Sequence, residues 1–266
     1  MKRTTIIALS LAVFLVFGVS MQASAKEVLR YSGSNQIYHA CDREMISAFS
    51  EASGVVVDVN TASSGAAVYR LMNGYSDIAS TARELYRTHA EYGFYQVAFC
   101  RDPLAVITRP ECGVESLTEE QLRAIFSGDI KNWKAVGGAD LPIRVIVPGS
   151  ETAANKNFRR QVMKLAEIRY DFMTYDSTMA IEAVQFFPCG AISFIAQGDV
   201  EHEPGIVTIK VNGIGPHAAA YPYFQIFYYV SRGKPTGAVE AFIDFSFSEA
   251  GQHIMRKNGM IPLARP

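Results

Sequence analysis

The sequence predicts an α/β fold. Short runs rich in β-branched residues alternate with stretches whose apolar residues recur at helical spacing, and at three places a small-residue loop joins a strand-like run to a helical one. Alternation of this kind argues for a mostly parallel sheet flanked by helices.

The chain opens on a targeting signal. Lys2 and Arg3 precede an apolar stretch over residues 6–19, and Ala23-Ser24-Ala25 follows as a small-x-small cleavage site. This is the layout of a secretory signal peptide over residues 1–25, with cleavage before Lys26. The apolar run is shorter than the roughly 20 residues a spanning helix needs. Removing Lys2 and Arg3 leaves 23 basic against 26 acidic residues, a formal charge of −3. A weakly acidic domain has no general attraction to nucleic acid or anionic lipid. No later segment is apolar enough for membrane insertion.

Strand-like runs lie at 27–31, 55–59, 104–108, 143–147, 191–195, 206–211 and 225–230. Between them, Cys41, Met45 and Phe49 recur at four-residue spacing with Ile46 beside them. Thr118 and Gln121 are set as a capping box at a second helix start. Val239, Phe242, Ile243 and Phe247 form a third apolar stripe. The joining loops are Ser32-Gly33-Ser34-Asn35, Thr61-Ala62-Ser63-Ser64-Gly65 and Pro148-Gly149-Ser150-Glu151-Thr152. Each sets a hydroxyl and unpaired backbone N–H groups at a helix N-terminus, where the dipole also favours negative charge. One such loop is ordinary capping; three that converge make an anion site.

Motifs of covalent chemistry are missing. The chain has no G-x-S-x-G and no H-E-x-x-H, and His39, His89, His202, His217 and His253 are scattered. Neither an enzyme nor a bound metal or cofactor is expected. Cys41, Cys100, Cys112 and Cys189 allow three disulfide pairings in an oxidising compartment, and no C-x-x-C occurs.

Residues 117–138, LTEEQLRAIFSGDIKNWKAVGG, carry a leucine-threonine helix start, an Ile-Phe-x-Gly turn, Asn132-Trp133 and Gly137-Gly138. With residues 77–85 (DIASTAREL), Gly190-Ala191-Ile192 and residues 241–252, this resembles the PstS-type phosphate-binding proteins of ABC transporters along almost the whole mature length. The resemblance implies a type II periplasmic binding protein fold. Two lobes, 27–106 plus 212–266 and 107–211, would be joined by hinge strands and would close on a ligand in the cleft. It further implies a periplasmic monomer that delivers phosphate, or a phosphate-like oxyanion, to a transporter permease. A different small solute, or a sensor as partner, are the alternatives within the same fold.

Carried over residue by residue, the ligand contacts would be Ser34, Asn35 and Gln36, then Ser63 and Ser64, then Thr81, then Ser150 and Thr152, with Gly65, Arg83, Arg144 and Glu151 as additions. The chain also departs from the family. Ala82 stands where an acidic residue is usual, Ile146 where an arginine is, and Phe224-Gln225 near the usual arginine of the returning strand. Arg83, Arg144 or Lys156 would then supply the charge, Arg144 sharing a strand face with Ile146. Glu151 either points to solvent or replaces the lost acceptor. Ala82→Asp with Ile146→Arg would restore the family's pair. Because a bridge between lobes would restrict the hinge, any disulfides are expected within lobes, as 41–100 and 112–189.

Overall fold

In the computed structural model, residues 26–85, 91–187 and 190–266 are described. The signal peptide expected over 1–25, His89 and Cys189 lie outside them. Among the described residues no helix is long and apolar enough to cross a membrane.

The chain alternates as predicted. β1 (Val28–Ser34) runs into one helical turn, a π turn over Tyr38–Asp42 and α1 (Arg43–Ser53). There follow β2 (Val56–Ala62), α2 (Ser64–Met72), β3 (Ile78–Thr81) and the long β4 (Phe94–Thr108). Next come β5 (Ser116–Leu117), α3 (Glu119–Phe126), β6 (Arg144–Val147), α4 (Ala153–Gln161) and β7 (Phe172–Met173). Then come α5 (Ser177–Phe186), β8 (Ala191–Ala196), α6 (Gln197–Val200), β9 (Val207–Val211) and β10 (Phe224–Arg232). The chain closes with α7 (Gly237–Phe247), α8 (Glu249–Lys257) and β11 (Ile261–Pro262). The capping box forms at α3: Thr118 accepts from the Gln121 N–H and Gln121 from the Thr118 N–H.

The strand order is β2-β1-β3-β10-β4-β8-β6-β7. It is parallel at its two ends, β2-β1-β3 and β8-β6-β7. The middle is antiparallel, because β10 and β4 run between the ends and pair with each other and with both sides. Each end of the sheet is thus parallel, as expected, and the antiparallel pairing falls on the strands that cross between them.

Those crossing strands join two cores. The first gathers Leu29, Ile37, Met45, Phe49, Phe99, Phe227, Phe242 and Met255. The second gathers Leu104, Val106, Phe126, Trp133, Phe158, Phe194, Tyr221 and Tyr223. The predicted stripes are what the helices bury: Cys41, Met45, Ile46 and Phe49 on one, Phe242 and Ile243 on another. In the second core Phe158 of α4 stacks on Phe194 of β8, centroids 3.8 Å apart, and this fixes the helix against the sheet. In the first core the π turn swings Asp42 inward. Its carboxylate accepts from the hydroxyls of Tyr31 and Tyr229 (2.7 Å for Tyr229), and Tyr31 pairs with Ser80 at 2.6 Å. Burial pushes the Asp42 carboxyl up, against the pull of those two hydroxyls. The cluster ties β1, β3 and β10 beneath the first loop.

The cysteines differ from expectation. Cys41 and Cys100 are neighbours in the first core but remain free thiols, so the 41–100 bridge is not formed. The Cys41 thiol donates to Asp42 at 3.4 Å, and Cys100 lies 3.9 Å from the Met260 sulfur. Apolar packing and a carboxylate acceptor hold the pair where a bond was anticipated. Cys112 is also a free thiol; its expected partner lies outside the described residues.

Candidate functional site

The three loops converge. A cleft of about 1690 Å³ opens between the two cores, floored by β10. Ser34, Asn35, Gln36, Ser63, Ser64, Gly65, Thr81 and Arg83 line one wall, and Glu151 and Thr152 line the other. That volume exceeds the roughly 300–1,000 Å³ usual for a ligand pocket and suits an open cleft.

Each loop is built by local chemistry. Gly33, the last residue but one of β1, stands where a Cβ would lie 2.3 Å from the Tyr31 hydroxyl, so only glycine fits. Ser63 caps α2 by accepting from the Ala66 N–H at 3.2 Å. The Ser64 hydroxyl accepts from the Ala82 N–H at 3.1 Å, joining the second loop to the end of β3. Thr81 is buried and accepts from the Arg83 N–H at 3.1 Å. Gln96 holds the same segment, donating to the Arg83 carbonyl and accepting from the Leu85 N–H, each at 3.0 Å. Thr152 caps α4 by accepting from the Asn155 N–H at 3.2 Å. Gly149 lets that loop pass under the Tyr175 carbonyl, which a Cβ would approach to 2.4 Å. The first N–H groups of α2 and α4, at Ser64, Gly65, Ala153 and Ala154, precede the capped ones and stand at the cleft lining.

Some predicted residues are elsewhere. Ser150 is exposed and does not line the cleft. Arg144 is the first residue of β6, whereas the cleft loop follows its last; at about 3.3 Å per residue the strand carries Arg144 away. It pairs instead with Asp171 at 3.2 Å. Ile146 has no exposed surface and packs in a further apolar cluster with Ile107, Ile181, Val184 and Ile195. Arginine there would be buried without a partner, so Ile146→Arg is no route to a stronger site. Glu151 takes the solvent-facing alternative: it is exposed and paired with Lys156 at 2.7 Å. Lys156, and more weakly the charge of Arg83 on the opposite wall, hold its carboxyl below the usual range.

Sequence reasoning missed the cleft face of α4. Asn157, Arg160 and Gln161 line the cleft beside Lys156, and Gln225 and Tyr228 of β10 line its floor. The signal was the helical spacing of these polar residues after Thr152. Arg83 and Arg160 make no ion pair among the described residues. The Arg160 charge reaches Tyr228, whose phenol is pushed up by burial and by Glu84 and drawn down by Arg160. Tyr228 sits opposite Thr81 in the β3–β10 pairing, so the two walls meet electrostatically there.

Two carboxylates sit at the crossover. Burial pushes Asp102 on β4 up to about 6. Asp199 on α6, which lines the cleft, is pushed up to about 7 by burial and then by the Asp102 charge. The folded protein therefore binds a proton at Asp199 that the unfolded chain has released, and stability falls as pH rises from about 4 through 7. Asp199→Asn is expected to flatten that slope and to raise stability at pH 8. The full shift corresponds to about 4 kcal/mol, which contact with cleft water reduces to roughly 1 kcal/mol, or about 2–4 °C in melting temperature. Thermal melts at pH 4.5 and 8 measure it; a variant less stable than the parent at pH 8 overturns the assignment.

Two α/β cores on shared strands, with helix N-termini and guanidinium groups around one open cleft, define a solute-binding protein. Residues 20–250 match the model of the PBP superfamily domain, and the chain belongs to that family. It is 27% identical to the phosphate-binding protein PstS of Borreliella burgdorferi, over 98% of this chain and 99% of that one. Among solved structures it resembles a putative phosphate ABC transporter substrate-binding protein with bound phosphate from Clostridium perfringens. The identity is 28% and the TM-score 0.72, over 89% of this chain and 100% of that one. An ABC-type phosphate transport receptor from Vibrio cholerae shares the fold, with a TM-score of 0.68 at 23% identity, covering 88% of this chain and 99% of that one.

Proposed function

We propose that this chain is the extracytoplasmic substrate-binding component of an ABC importer for phosphate or a phosphate-like oxyanion. The observation that carries the reading is the convergence of Asn35–Gln36, Ser63–Ser64, Thr81–Arg83 and Thr152 on one cleft. An oxyanion entering the cleft loses its water, and each lost hydrogen bond must be replaced by a donor. Hydroxyls, N-terminal N–H groups and the two guanidinium groups are such donors. The B. burgdorferi and C. perfringens relatives, similar over nearly their whole length, support the same reading. Calorimetry with phosphate, phosphonate, sulfate, molybdate, tungstate and small organic anions tests it; no heat with any of the inorganic oxyanions would end it.

The lobes, 27–106 plus 212–266 and 107–211, meet at the crossing strands, and donors come from both. The open cleft is expected to close on phosphate by hinge motion. Small-angle scattering at saturation then gives a smaller radius of gyration than the free protein. An unchanged radius means the ligand binds without closure.

A further inference from the structure

We propose that Arg160 is the guanidinium the second wall presents to an oxyanion, and that Asp102, Gln225 and Asn157 position it through a hydrogen-bonded relay across the crossing strands. The proposal rests on the oxyanion reading of the cleft.

The relay runs through named bonds. Asp102 on β4 accepts from the Gln225 amide on β10 at 2.8 Å and from the Gly198 N–H at 3.2 Å. The Gln225 carbonyl oxygen accepts from the Asn157 amide on α4 at 3.4 Å. The Asn157 oxygen accepts from Arg160 Nη2 at 2.7 Å. Gln161 strengthens the seam, donating to the Phe224 carbonyl at 2.7 Å and accepting from the Phe224 N–H at 3.1 Å.

Polarity makes this a relay rather than a set of contacts. An ionised carboxylate only accepts, so Gln225 must turn its NH₂ toward Asp102 and its oxygen toward α4. Asn157 offers its NH₂ to Gln225 and to the Ala153 carbonyl, the latter at 3.0 Å, and its oxygen to Arg160 and to the Gln161 amide, the latter at 3.2 Å. A guanidinium only donates, and it closes the chain. Asp102 and Gln225 are almost wholly buried, so their amide and carboxylate dipoles act at low dielectric. The final donor lines the cleft on the same helix as Thr152. It supplies the second wall with a cation that buried Ile146 cannot.

The relay is sensitive to protonation, because a neutral Asp102 becomes a donor and no longer fixes Gln225. Burial places its carboxyl at about 6, within reach of mild acid. The titratable groups that act on or through it are Asp199 on α6 and Cys100 on its own strand. Its partners from β10, α4 and the α6 backbone are neutral. β8 and β11 carry no titratable side chain, and the exposed Lys210 of β9 lies opposite Ser116. The charges of Arg160 and Glu84 both act on Tyr228, in opposite directions.

Calorimetry with inorganic phosphate between pH 5 and 8 tests the inference, with each variant compared to the parent so that the ligand's own ionisation cancels. Arg160→Gln is expected to lower affinity about 10–100-fold with melting temperature unchanged. Asp102→Asn lowers affinity at pH 7.5 and abolishes the parent's extra loss below pH 6, and the double variant is no weaker than Arg160→Gln alone. Gln225→Met breaks the same relay should Asp102→Asn fail to fold. Affinity within twofold of the parent for Arg160→Gln, or losses that simply add, would overturn the proposal. A parent that binds no oxyanion ends the functional reading and Arg160's role with it. The relay is then read in free protein by NMR: the Gln225 and Asn157 side-chain amides should shift with pH only while Asp102 is present. Amides that do not move overturn the relay by themselves.

Discussion

Replacing Arg83 by glutamine is expected to cost phosphate affinity about 10–100-fold, since a hydrogen bond to a charged group contributes about 1.5–3 kcal/mol. The backbone of Arg83 is pinned by Thr81 and Gln96, while its guanidinium makes no ion pair among the described residues. The side chain is thus free to serve a ligand, and its loss removes charge without disturbing packing. Melting temperature should stay within about 1–2 °C of the parent, because surface changes away from special contacts stay within about 0.5 kcal/mol. Calorimetry and a thermal melt decide it together. Unchanged affinity would remove Arg83 from the site; lost affinity with a large drop in melting temperature would assign it to the fold instead.

The alternation of elements was legible because periodicity reports local structure. The apolar stripes and the Thr118 capping box needed no tertiary information. β3 was not legible as a strand. Residues 78–81 are too short and too polar at their end to stand out, and only pairing with β1 and β10 makes them one. The first half of β4 was hidden for another reason. Arg101-Asp102-Pro103 reads as a turn, yet it is the crossover itself, where Asp102 serves Gln225 and the chain continues extended. The two-residue strands β5, β7 and β11 carry no pattern at all.

The site divides in the same way. Its loops were visible because hydroxyl and glycine residues before a helix have a local meaning. Its charges were not, because which arginine reaches a cleft depends on strand direction and helix facing. Period two set Arg144 on the face of Ile146 but said nothing of which strand end opens into the cleft. Arg160 was invisible until α4 was docked by Phe158 against Phe194. The pairing of Asp102 with Asp199, which are 97 positions apart in the chain, is a product of topology alone.

Selectivity carries the second large effect. A carboxylate in a phosphate site accepts the proton of hydrogen phosphate and repels sulfate, which has no such proton near neutral pH. Here Ala82 stands at that place, lining the cleft between Thr81 and Arg83. Glu151 is no substitute, because its charge is already met by Lys156. The parent is therefore expected to bind sulfate within about tenfold of phosphate, since a site with no carboxylate beside Thr81 forgoes the rejection of about 10⁴ that a demanded hydrogen bond can supply. Ala82→Asp alone introduces the acceptor, with Arg83 adjacent to balance it. The buried Ile146 stays as it is. Sulfate affinity should fall at least about 100-fold in the variant, with phosphate falling far less, so the preference ratio rises by one to two orders of magnitude. Competition calorimetry with the two anions at pH 7.5 measures that ratio directly. A parent that already rejects sulfate by orders of magnitude, and does so equally well after Glu151→Gln, would mean that another group in the cleft holds the acceptor.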